Sequence, residues 1–176
     1  YRFPKNSVAK YWEITPDISI QGKALANGMP ISVVGGKAKI MESDYFVSST
    51  YSGEQITLAA AIECINQVSN DYNPERLWEF GSEFVDRMNG VLNPMIELTG
   101  YPTRGGFEGN ETYKAIFFQE MLKCGVFFHP KSWFYNIHLH THLDDIVDIA
   151  EKIKTKISNG EVRLEGDLPT EPFKKG

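Results

Sequence analysis

Residues 16–28 read PDISIQGKALANG. The stretch sets a single cation, Lys23, in a turn of small residues between two apolar runs. Asp17-Ile18-Ser19-Ile20 ahead of it alternates as a strand does, and Ile31-Ser32-Val33-Val34 behind it reads as a second strand. Gly22 on one side and Asn27-Gly28 on the other are turn residues. A lysine there is either a solvated loop charge, the usual state of Lys, or an amine held for chemistry. Gly22 and Ala24 give it no bulky neighbours. Burial at the end of a buried strand would favour the uncharged amine, a nucleophile toward a carbonyl. That meets the requirement for a Schiff base, and spacing alone does not name the aldehyde.

Outward from the turn, residues 1 to about 50 alternate short apolar strands with glycine-containing turns, and helices follow, an α/β pattern. In STYSGEQITLAAAIECINQV, Ser52 and Gln55 have capping-box spacing, which predicts a mostly buried helix from Ser52 to about Ser69. Its stripe is Ile56, Ala59, Ala60, Glu63 and Cys64. Asn73 and Pro74 are a good cap and first residue for the next helix. The best domain boundary falls at this junction, giving units of 1–70 and 71–176. The second reads as a small α/β unit. MIELTG is a strand, TRGGFEG a strand or loop, and NETYKAIFFQEMLKCG a helix opened by Asn110 and closed by Gly125. GVFFHP and YNIHLH read as short strands, and THLDDIVDIAEKIKTKI as a helix capped by Thr141 with a stripe of Ile146, Ile149, Ile153 and Ile157. Its acids lead and its lysines trail, as the helix dipole favours. The polar tail after Ile157 reads as loose.

Bulk properties exclude several classes. The 176 residues are 41% hydrophobic and 23% charged, with a formal charge of -5. An acidic chain lacks the basic face that nucleic acid requires. No apolar run approaches the roughly 20 residues of a membrane span. Cys64 and Cys124 sit in helical patterns and read as buried thiols, which suits a reducing cytoplasm. The opening YRFPKNSVAK has no initiator Met and reads as mid-domain sequence, so a fragment is expected.

Two other clusters carry possible chemistry. His138, His140 and His142 alternate, and on a strand they would share a face, a spacing that can bind metal. The stretch supplies no thiolate or acid between them, so structural or solvated histidines are expected and no metal. Arg104 could hold a carboxylate with both guanidinium edges, but a loop arginine is the ordinary reading.

The segment YRFPKNSVAKYWEITPDISIQGKALANGMPISVVGGKAKIME resembles the region around the cofactor lysine of class III, pyridoxal-phosphate-dependent aminotransferases, of the glutamate-1-semialdehyde 2,1-aminomutase type. The matching pieces are Tyr1-Arg2-Phe3, Pro16-Asp17, Gly22-Lys23-Ala24, Gly28-Met29-Pro30 and Gly35-Gly36. STYSGEQ resembles the family's next motif, and HTHLDDIVDIAEKI its closing segment. The resemblance covers about residues 1–158 and implies the C-terminal part of a fold type I enzyme: the end of a large cofactor domain and a small α/β domain.

The resemblance also implies roles. Lys23 would form the internal aldimine with pyridoxal 5′-phosphate and then carry protons between substrate and cofactor carbons. Thr50 would meet the cofactor phosphate of a neighbouring subunit, which makes the active unit a homodimer. A hydroxyl ahead of a helix N-terminus agrees with that role. The substrate would be a small amino acid, amino sugar or amino aldehyde. The family's aspartate for the pyridine nitrogen would precede Tyr1, and neither Asp17 nor Asp44 sits at its position. A racemase or decarboxylase on the same scaffold, or a truncated chain kept for interaction, are the competing readings.

Overall fold

The computed structural model describes residues 2–4, 7–44, 46, 48–70, 73–129 and 131–168. The chain divides into two compact units, Tyr1–Arg76 and Leu77–Gly176.

In the first unit, helix α1 (Val8–Tyr11) precedes strand β1 (Ile18–Gln21), a 3-10 turn (Lys23–Leu25), strand β2 (Val33–Gly36), helix α2 (Ala38–Met41) and helix α3 (Gln55–Asn70). β1 and β2 pair antiparallel, Ile18 against Gly36 and Gln21 against Val33. Gly36 makes that register possible, because a Cβ there would lie 2.5 Å from the carbonyl oxygen of Asp17. The core of this unit is small: Leu25, Ala26 and Ala61, with Ile31 and Ala60 packed against them.

In the second unit, helix α4 (Pro74–Leu92) leads to strands β3 (Ile96–Tyr101) and β4 (Arg104–Gly109), helix α5 (Glu111–Lys123), strand β5 (Trp133–Phe134), a 3-10 turn (Ile137–His142) and helix α6 (Leu143–Ser158). The antiparallel sheet runs β3-β4-β5. Phe84, Met88 and Leu92 share one stripe of α4 and meet Ile96, Leu98, Phe107, Phe117, Met121 and the α6 stripe in one buried cluster. Each such side chain contributes about 2 kcal/mol on burial. Gly105 admits the Trp133 indole, since a Cβ there would lie 2.7 Å from the ring and 1.7 Å from the Thr99 oxygen. The indole Nε1 in turn donates to the Gly106 carbonyl. The Asn89 side chain reaches from α4 to Leu98 of β3, accepting from its amide and donating to its carbonyl. One amide side chain thereby pairs with an edge strand as a neighbouring strand would.

Asn73 accepts from the Arg76 amide and Asn110 from Thr112 and Tyr113, as their cap positions predict. Gly125 ends the α5 segment with φ +82°. Other expectations change. β1 and β2 are exposed at every position rather than buried. The exposed side of α3 carries Leu58, Ile62 and Ile65, so that helix is not mostly buried. α3 opens at Gln55 with Glu54 accepting at its first turn, so the expected box of Ser52 and Gln55 does not form. The sole strand between α5 and α6 among the described residues is Trp133–Phe134. YNIHLH is instead a 3-10 turn whose Asn136 side chain accepts from the His138 amide. α6 starts at Leu143, and the Thr141 hydroxyl donates to the His138 carbonyl instead of capping it. Cys64 is half-buried and Cys124 exposed, both as free thiols, so the expected burial fails for Cys124. The tail is not loose throughout. Val162 and Leu164 pack on the core, and the Gln119 side chain bonds the backbone of Arg163 and Glu165. Residues 169–176 lie outside the described residues.

Candidate active site

Gly22 is extended, and the chain then turns at Lys23 into the left-handed region, with φ +52°. A side-chain-bearing residue is uncommon there and strained. The next residues hold it in place. The Leu25 amide donates to the Gly22 carbonyl, and Leu25 and Ala26 are buried against Ala61 of α3. Asn27 at φ +43° and Gly28 at φ +120° then reverse the chain toward β2. Packing thus fixes the backbone just after a lysine whose own residue is exposed. The burial that the sequence pattern suggested for Lys23 is therefore not found within this chain. What the turn supplies is an accessible lysine on a constrained backbone.

Thr50 is exposed in the turn that leads to α3. Among the described residues no hydrogen bond or ion pair joins it to Lys23. Within the turn, the Ser52 amide donates to the Ser49 carbonyl and the Glu54 amide to the Tyr51 carbonyl. The Glu54 carboxylate accepts from the Ile56 amide at 2.8 Å, the Thr57 amide at 2.8 Å and the Thr57 hydroxyl at 2.7 Å. The hydroxyl of Thr57 and then the two amides hold the Glu54 carboxyl below its ordinary range. Sequence reading missed Glu54, because Ser52 and Gln55 fit the commoner cap. The signal that was present is the three-residue spacing from Glu54 to Thr57.

The other candidates go elsewhere. Arg104 lies over the Phe134 ring at 5.4 Å and is exposed. The histidines occupy a 3-10 turn, not a strand, so alternation does not give them a common face. His140 stacks on Phe80 at 3.5 Å, nearly parallel. Among the described residues no group of His, Cys, Asp and Glu has the arrangement of a metal site. Tyr135, which sequence reading passed over, is buried beside Phe84, and its phenol is pushed up to about 12 by burial and the charge of Glu83.

Residues 7–155 match the sequence profile of class III aminotransferases, so both the Lys23 turn and the Thr50 turn lie inside the matched region. The chain is 29% identical to glutamate-1-semialdehyde 2,1-aminomutase 2 of Bacillus licheniformis, over 90% of this chain and 42% of that protein. Among solved structures it resembles the internal-aldimine form, with pyridoxal phosphate, of the FumI protein of Sphingopyxis sp. MTA144, with a TM-score of 0.78 and 21% identity over 93% of this chain and 42% of that one. It also resembles an omega-transaminase of Sphaerobacter thermophilus, with a TM-score of 0.71 and 16% identity over 88% of this chain and 42% of that one. The chain spans about two fifths of the length of these relatives. Its α/β architecture is that of part of a fold type I transaminase. By the extent of the profile match, the chain belongs to the class III aminotransferase family.

Proposed function

We propose that the whole protein transfers amino groups with pyridoxal 5′-phosphate, between two substrates as an aminotransferase or within one as an aminomutase. The observation that carries this reading is Lys23, held in a left-handed backbone by a turn packed on α3 while its side chain stays accessible. Strain of that kind persists where the surrounding packing over-determines it, and it gathers at active sites. The residues present suit the cofactor, since Lys23 offers an exposed amine and Thr50 an exposed hydroxyl. When bound, pyridoxal phosphate supplies an electron sink for the substrate's carbanion.

The chain's own residues do the rest. Lys23 Nζ is the attachment point and afterwards the base that takes a proton from the substrate and returns it as an acid. Its fixed backbone sets the face from which that proton moves. The Thr50 hydroxyl donates to a phosphate oxygen bound by the neighbouring subunit, so the working unit is a homodimer. In this reading residues 1–70 belong to a large cofactor domain, and residues 71–176 form a small domain. The substrate is a small amino acid, amino sugar or amino aldehyde, handled in a reducing cytoplasm where free Cys64 and Cys124 persist.

The test follows 15N from a panel of labelled amino acids, amino aldehydes and amino sugars into acceptor or isomerised product. The wild-type protein is expected to move the label, and Lys23→Ala to lose turnover by orders of magnitude with its fold intact. Turnover preserved in Lys23→Ala contradicts the reading.

A further inference from the structure

We propose that residues 161–165 form a strap that opens about two glycines while the rest of the second unit stays folded, held shut by a salt-sensitive latch on α5. The strap leaves α6 through Gly160, with φ +70°, and is followed by Gly166, with φ +89°. A Cβ at either glycine would meet nothing within 4 Å, so these positions give backbone freedom rather than room. Val162 and Leu164 pack half-buried on the core, while Glu161, Arg163 and Glu165 are exposed. That alternation is the pattern of an extended chain. Its bonds to the helices are few. Among the described residues its one backbone-to-backbone bond runs from the Glu161 amide to the Lys156 carbonyl. Beyond it the Gln119 side chain stands in for a neighbouring strand. It donates to the Arg163 carbonyl at 3.0 Å and accepts from the Glu165 amide at 2.7 Å. The Lys123 ammonium adds an ion pair with Glu165 at 2.5 Å.

The latch is built to let go. Lys123 also pairs with Glu120 at 2.7 Å, so it keeps a partner when Glu165 leaves. The Glu165 side chain is 71% exposed and passes to water. Opening therefore strands no charge in the core, the event that makes breaking an ion pair costly. The pair is near the surface, so salt screens it. An open cleft of about 440 Å³ is lined by Glu120, Lys123 and residues 160–165, so the strap is not closely packed along its whole length. A segment with few apolar contacts and solvent-facing hydrogen bonds opens before the elements it lies on. Opening bares the seats of Val162 and Leu164 on the core and frees both ends of the Gln119 amide.

The experiment follows hydrogen exchange in the whole protein and in its variants Lys123→Met and Glu165→Gln, at low and high salt. It compares the Glu165 amide with core amides such as that of Phe117. Trypsin cuts after Arg163 are located in parallel by mass spectrometry, and melting curves check that each variant folds. In the wild-type protein the Glu165 amide should exchange at least about a hundredfold faster than the core amides. Cutting after Arg163 should proceed while the core stays protected. Each variant should speed exchange at Glu165 about threefold at low salt, the share of an exposed ion pair. High salt should bring the wild-type rate up to that of the variants. Exchange at Glu165 and cutting after Arg163 no faster than exchange of the core amides, in the wild-type protein, overturns the strap. A wild-type rate at Glu165 that does not rise with salt, or that equals the rate of the folded variants at low salt, overturns the latch. The wild-type measurements decide both points even where a variant fails to fold.

Discussion

The backbone at Lys23 is left-handed, and the Cβ of any residue but glycine is crowded in that conformation. Lys23→Gly should therefore raise the free energy of unfolding by about 1 kcal/mol, read as a higher denaturant midpoint at unchanged slope. Lys23→Ala, which keeps the Cβ, should show no such gain. Equal stability of the two variants would mean that Lys23 stores no strain. Such a trade of stability for function is expected where a residue is kept for chemistry. The sequence marks Lys23 clearly through Gly22, Ala24 and Asn27-Gly28, yet it cannot report the residue's exposure. Exposure depends on what covers β1 and β2, and their apolar pattern is the same with or without a cover. Glu54 was hidden for another reason. Gly53 lets a long carboxylate fold back onto its own helix, and no local pattern separates that from a serine cap.

At the scale of elements, α6 finishes α4. Lys154 Nζ donates to the carbonyls of Val91 and Asn93, at and just beyond the C-terminal end of α4, where a helix leaves acceptors unpaired and favours a cation. Lys154→Met keeps the apolar stem and removes the donors. It should lower stability by about 2 kcal/mol in a denaturant melt. No change would show that water serves those carbonyls equally well. The helices of the second unit were readable because their caps and stripes agree: Asn73-Pro74 opens α4, Asn110 opens α5, and the isoleucine stripe of α6 packs inward. The stretch between α5 and α6 was not. Runs such as Phe127-Phe128 and Trp133-Phe134-Tyr135 carry strand-forming residues, but of these only Trp133 and Phe134 pair as a strand, on Gly105 and Arg104 of β4, with the Tyr135 amide donating to the Thr103 carbonyl beyond them. Pairing is a long-range event, and propensity for it yields to context.

Over the whole chain the two units differ in what they bury. The second has a continuous core from α4 through α6. The first buries Leu25, Ala26 and Ala61 while Ile18, Ile20, Val33 and Val34 of the ribbon stand exposed. Strands rich in such residues are the kind that α/β sheets cover on both faces. Among the described residues no helix is long and apolar enough to cross a membrane. The central claim is that one lysine of the whole protein, Lys23, carries the cofactor. Its most direct test is to load the protein with pyridoxal 5′-phosphate, reduce with borohydride, digest, and locate the modified lysine by peptide mass spectrometry. The account predicts the label on Lys23, in the peptide containing QGKALANG, and its loss in Lys23→Ala. A label on another lysine, or none, would contradict it.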